Sequence, residues 1–167
     1  MGSSPSKVEQ QARTLQGLEQ IIKDRNLALY YRKFLYDRFS NENLSFWLEA
    51  ENYRLIDSEE LRMKRSKEIY DKYFNSSSRY ELNIDHIQRA YLQDRICTPT
   101  SDLFLPIQGS IRKILELDTI PLFSKSECYR MFIKRKGRSE FVFSGNERGR
   151  STTVDEIEKL SMPRNSR

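Results

Sequence analysis

Between Phe39 and Tyr53 the chain reads Phe-Ser-Asn-Glu-Asn-Leu-Ser-Phe-Trp-Leu-Glu-Ala-Glu-Asn-Tyr. No other stretch limits the fold so tightly. Ser40 is a favoured N-cap, whose hydroxyl can accept from the free N–H groups of a first helical turn. Asn43 stands three residues on, where a polar side chain can reach back to the cap. Glu42 puts a negative charge in the first turn, on the favourable side of the helix dipole. Phe46, Ala50 and Tyr53 then fall on one helical face, Trp47 lies beside them, and Leu44 and Leu48 widen the stripe. The spacing predicts a central buried helix whose polar start is open to a surface.

Helical spacing recurs on both sides. Leu15, Leu18, Ile21 and Ile22 mark a first helix over Val8–Ile22, weakened by Gly17. Asp24 or Asn26 is placed to cap a second over Leu27–Arg38, with Tyr31, Phe34 and Leu35 on its apolar face. Ser58-Glu-Glu-Leu opens another, running to about Tyr73 with Leu61, Ile69, Tyr70 and Tyr73 as candidate core. Asn83-Ile-Asp85 leads into a helix through Tyr91 and Leu92. Pro106 suits the first turn of the next, which carries Ile107, Ile111, Ile114 and Leu115. Pro121 is expected to break that pattern, and Ser124 or Ser126 to cap a last helix through Tyr129 and Phe132. No stretch before residue 134 alternates as a strand, and Phe141-Val-Phe143 is too short to count as sheet. The fold class is all-α.

From Lys134 the composition turns to Arg, Lys, Gly, Ser and Asn, as expected of a disordered tail. The expected organisation is an N-terminal segment 1–13, a helical domain 14–135 and a basic tail 136–167. Gly2 and Ser6 fit the N-myristoylation pattern, which makes Gly2 a lipidation candidate; a cloning scar is the alternative. Arg138-Ser139 and Arg150-Ser-Thr-Thr153 resemble basic-directed phosphorylation sites, a pattern common by chance.

The formal net charge is +5, which fits a membrane-facing or acidic-partner surface or weak nucleic-acid binding, though no nucleic-acid motif accompanies it; a solvated surface with a basic tail accounts for it most simply. Two cysteines and one histidine supply neither a disulfide framework nor a metal site, and a reducing intracellular compartment is expected. No apolar run approaches the roughly 20 residues of a membrane span, and no secretory signal is expected. There is no phosphate loop, no HExxH pair and no nucleophile elbow. His86 lacks an orienting partner in sequence, and Glu49 and Glu51 lie on different sides of a helix. The chain thus reads as a binding module with no catalytic residues, cofactor or metal of its own.

Ser40-Asn-Glu-Asn43 followed by Leu44-x-Phe46-Trp47-Leu48-x-Ala50-Glu51-x-Tyr53 resembles the signature of the regulator of G-protein signalling (RGS) domain. Tyr31-x-x-Phe34-Leu35, Asn83-Ile84-Asp85, Phe104-x-x-x-Gln108 and Phe123-x-x-Ser126-x-x-Tyr129 resemble further pieces of that family, in order and in register. The resemblance implies a nine-helix bundle that binds the switch regions of a Gα subunit in its GTP or transition-state form. It implies acceleration of GTP hydrolysis by positioning, because Gα carries its own arginine. The alternative is a scaffold of the same fold without activation. A monomer is expected, cytoplasmic or recruited to the inner face of the plasma membrane.

By the same resemblance the partner surface comprises Phe39, Glu42, Asn43, Arg95, Ile114, Asp118, Thr119 and Leu122. Ile114 replaces a usual leucine and Thr119 a usual serine. Two positions depart further. Arg95 stands where the family places an asparagine, and Leu122 where it commonly places an arginine. An arginine has donors but no acceptor, so Arg95 cannot copy the amide, and both changes bear on activating strength and on the choice of Gα.

Overall fold

The computed structural model describes residue 15 and residues 17–139, with side chains described as far as residue 135. These residues form eight α-helices and one π-helical turn, and no strand is found among them. The helices are α1 (Leu18–Lys23), α2 (Arg25–Asp37), α3 (Asn41–Arg54), α4 (Glu59–Tyr73), α5 (His86–Arg95), α6 (Leu105–Ile114), α7 (Ile120–Ser124) and α8 (Glu127–Ser139), with the π turn at Leu115–Thr119. The all-α expectation holds. The helix count falls one short of the nine the resemblance implies, and the expected start of the first helix, 8–14, lies outside the described residues. So do Gly2, Phe141-Val-Phe143 and the 150–153 pattern. No described helix is long and apolar enough to cross a membrane.

The chain forms two compact units. The middle of the chain, Ser40–Ile114, is built round α3. Residues 44–50 of this helix are buried without a break, so it is enclosed on all sides. Phe46 lies edge-on to Tyr73, Phe74 and Phe104 at 5.4, 5.4 and 6.0 Å between ring centres, and Tyr53 meets Phe104 at 4.9 Å. These rings are all buried, in company with Leu44, Leu48, Ile69, Leu92 and Ile107. Enclosure forces the polar residues of α3 to find partners. Glu49, 3% exposed, accepts from Arg65 Nη2 (2.9 Å), Lys72 Nζ (2.6 Å) and Tyr73 OH (2.7 Å). Glu51 Oε1 accepts from the buried Gln108 Nε2 (2.6 Å), which also reaches the carbonyl of Trp47 (3.2 Å). Leu61, expected in the core, is exposed instead.

The other unit holds the described residues up to Phe39 and those from Leu115. Asp24 caps α2 by accepting from Asn26 N (3.0 Å) and Leu27 N (3.1 Å). Tyr31, Phe34, Phe123, Tyr129 and Phe132 form a chain of ring contacts 5.0–6.4 Å apart. Tyr36, on the same helix as Tyr31 and Phe34, is exposed. Pro121 does not break the helical pattern. It occupies the first turn of α7, where its missing N–H is not needed. Ser126 caps α8 by accepting from Tyr129 N (3.2 Å), and α8 continues past Lys134 to Ser139.

Candidate functional site

The expected contact residues fall on both units. On the first turn of α3, Glu42 is half-buried, and Asn43 Nδ2 donates to Glu42 Oε1 at 3.4 Å. Burial pushes the Glu42 carboxyl above its ordinary value, opposed by a hydrogen bond from its own backbone N–H. The expected capping box does not form. Ser40 makes no side-chain cap bond to α3, and the Asn43 amide turns to its neighbour rather than back to the cap. Asn41 Oδ1 is buried with no hydrogen-bond partner among the described residues.

Phe39 ends the other unit's first segment. After α2 the chain tightens through Arg38 N to Leu35 O and Phe39 N to Tyr36 O, both 3.1 Å. Phe39 takes a φ of 54°, the only positive φ at a non-glycine among the described residues, and its side chain is 94% exposed. A left-handed backbone costs an L residue roughly 1–2 kcal/mol. A large apolar ring held outward on such a backbone is poorly explained by folding alone.

Arg95 closes α5. Its guanidinium lies 4.8 Å from the centre of the Tyr91 ring, one turn earlier, and the residue is exposed. The loop after it is tied down within the same unit. Tyr53 OH donates to the carbonyl of Thr100 (2.8 Å), and Thr100 Oγ1 donates to Asp102 Oδ1 (2.5 Å). That hydroxyl, the Asp102 backbone and the charge of Arg95 hold the Asp102 carboxyl below its ordinary value. Burial pushes the Tyr53 phenol up to about 12, so it stays a donor. Ile114, the last residue of α6, is 37% exposed.

The remaining residues sit on the π turn and α7. A π turn adds a residue to the helical circuit and re-aims the residues after it. Asp118 is exposed, Leu117 beside it is 72% exposed, and Leu122 is 46% exposed. Thr119 points the other way. It is buried, and its hydroxyl donates to Leu115 O (2.9 Å) while accepting from Tyr31 OH (2.5 Å). A hydroxyl has one proton, so the bond to Leu115 fixes Tyr31 as the donor. Thr119 is therefore a strut under the turn.

Thus Glu42 and Asn43 are in contact, Asp118 and Leu122 are both exposed, and Thr119 is turned inward. Tyr91 and Leu117 were not singled out from sequence. The aromatic–arginine spacing of i, i+4 could have marked Tyr91; nothing in the sequence marks the outward turn of Leu117. Among the described residues no group of His, Cys, Asp or Glu could hold a metal ion. Cys97 is exposed and Cys128 buried, both as free thiols.

Comparison with known proteins bears on this arrangement. The family described as "Regulator of G protein signaling domain" matches residues 17–132. Regulator of G-protein signaling 5 of Sus scrofa is 32% identical over 117 residues, covering 70% of this chain and 65% of that protein. Regulator of G-protein signaling 16 of Rattus norvegicus is 33% identical over 115 residues, covering 69% and 58%. Regulator of G-protein signaling loco of Drosophila melanogaster is 27% identical over 122 residues, covering 73% of this chain and 8% of its own length. The matches thus span less than two thirds of these relatives. With its matched span, its all-α architecture and its signature helix α3, the chain belongs to the regulator of G-protein signalling domain family.

Proposed function

We propose that this chain binds a Gα subunit in its GTP-bound or transition-state form and accelerates GTP hydrolysis. The contacts are Phe39, Glu42, Asn43, Arg95, Ile114, Asp118 and Leu122, with Thr119 bracing the turn from inside. The observation that carries this reading is the first turn of α3, where a half-buried carboxylate and an amide are hydrogen-bonded to each other. Phe39, just before it in sequence, adds an exposed ring on a left-handed backbone. Groups of that kind, fixed before the partner arrives, can hold the switch segments of a GTPase in one arrangement. Rate is then gained by positioning and preorganised hydrogen bonds, without a catalytic group from this chain.

Binding to Gα loaded with GDP and aluminium fluoride, against GDP alone, tests the mechanism. Preference for the first supports transition-state stabilisation. Equal binding argues against it. The second reading, a scaffold that binds without activating, is favoured by the side chains of Arg95 and Leu122. Single-turnover hydrolysis across a panel of Gα subunits separates the two, since binding with no acceleration in any member would remove the first. Recruitment to the inner face of the plasma membrane through an acylated Gly2 belongs to the same proposal, and mass spectrometry of the native N-terminus tests it.

A further inference from the structure

Arg95 and Tyr91 form a unit that the family resemblance does not supply. The arginine takes the place of an asparagine, and the structure gives it a support. One face of the guanidinium lies over the Tyr91 ring at 4.8 Å, and both residues are on α5. Arg95 is exposed, and among the described residues no carboxylate comes within ion-pair distance of it, although its charge acts on the Asp102 carboxyl. The nearby loop is not free to collapse onto it, because Tyr53 holds the Thr100 carbonyl and Thr100 holds Asp102. The ring thus supports the guanidinium from one side, in a residue that is otherwise exposed.

Such a guanidinium recognises a particular chemistry. A guanidinium donates only, and its planar fork matches two oxygens of one acid group. An asparagine at the same place would offer one donor group and one acceptor, and would suit an amide. Stacking on Tyr91 removes rotamer freedom before binding, which lowers the entropic cost of the contact. We infer that the Tyr91-supported fork of Arg95 is this domain's selectivity element and takes a side-chain carboxylate on the facing segment of its Gα partner. Arg95 makes the contact, and Tyr91 is a positioning residue. This rests on the Gα reading above.

The test uses the full chain and a panel of Gα subunits carrying GDP and aluminium fluoride. In the best-bound Gα, Arg95→Asn is expected to weaken binding by about ten- to a hundred-fold, the size of losing hydrogen bonds to a charged group. Arg95→Lys keeps the charge but loses the fork, and is expected to recover only part of that loss. Tyr91→Leu costs a few-fold, Tyr91→Phe costs little because the ring remains, and Tyr91→Leu adds nothing once Arg95 is Asn. Neutralising one Gα carboxylate at a time should find one whose loss harms the wild type and not Arg95→Asn.

Unchanged or tighter binding by Arg95→Asn overturns the inference. So does an equal cost of Tyr91→Leu in both backgrounds, or the failure of every Gα carboxylate to couple to Arg95, as when the fork meets a nucleotide phosphate. If the wild type binds no Gα, both the Gα reading and this extension fall. The stack itself is checked on the free chain. Its arginine δ-methylene protons should shift upfield under the Tyr91 ring and return in Tyr91→Leu, and no shift would overturn the support whatever Gα does.

Discussion

The first turn of α3 and the π turn at Leu115–Thr119 both carry residues of the proposed partner surface, and they are built differently. At α3 a regular helix, enclosed on all sides over residues 44–50, carries two half-buried polar side chains at its start. Their direction is set by the register of the buried run behind them. At the π turn the register itself changes, and successive residues go to opposite fates: Leu117 and Asp118 outward, Thr119 into the core against Tyr31. In the first case a packing pattern sets the residues left at the surface. In the second a backbone irregularity does, and one buried hydroxyl pins it. Only in the first case does sequence spacing translate directly into geometry.

Removing the anchor of each element puts that contrast to the test. Glu49→Ala takes away the buried acceptor that three donors share on α3. Unfolding by urea should show a loss of about 3 kcal/mol, the lower part of the usual range because Arg65 and Lys72 reach partly into water. A loss below about 1 kcal/mol would mean that the aromatic cage alone holds α3. Thr119→Val leaves the Tyr31 hydroxyl buried without its acceptor, at a cost of about 1–3 kcal/mol. Thr119→Ser should cost clearly less, because the hydroxyl remains. A larger loss in Thr119→Ser than in Thr119→Val would show that the methyl group, and not the hydroxyl, pins the turn.

The smallest effect is electrostatic. Burial raises the folded-state pKa of Glu42 above its ordinary 4.5. The native state then holds the proton more tightly than the unfolded chain. The resulting stability is complete below the ordinary value and is lost as pH rises through the folded one. Glu42→Gln removes that loss. It should be slightly more stable than the wild type at pH 7, with the gain gone by about pH 4, and it should bind Gα more weakly. A variant that is less stable at pH 7 would place the carboxylate in a supporting role on α3.

The same contrast explains what could be read from the residues alone. Ser58 accepts from a first-turn N–H as expected. Asp24 rather than Asn26, and Ser126 rather than Ser124, do the same, and so does Asp85, for which no capping role was expected. The seven buried residues 44–50 exceed what an amphipathic stripe would give, because residues from α4, α6 and the segment before α6 close over the remaining faces. The spacing predicts Glu42 and Asn43 at an exposed, box-capped helix start, and they are instead half-buried and bonded to each other. That choice depends on burial of the carboxylate, which no local pattern records. Thr119 was placed among the contacts because a hydroxyl is typical there. The inward aim comes from the π turn, and Pro121, which reads as a breaker, starts the next helix once the added residue has shifted the circuit.

The bond from Tyr53 to the Thr100 carbonyl has a consequence for how variants of this domain are interpreted. Tyr53 is a core residue by any inspection of burial, and Tyr53→Phe keeps its ring against Phe104. Thr100 is exposed, so water can replace the lost phenol. Such a variant would pass a thermal screen unharmed and still lose the tether on the loop beyond Arg95. A variant there would be filed as a silent core change or as a lesion of the proposed binding face, depending only on which assay came first.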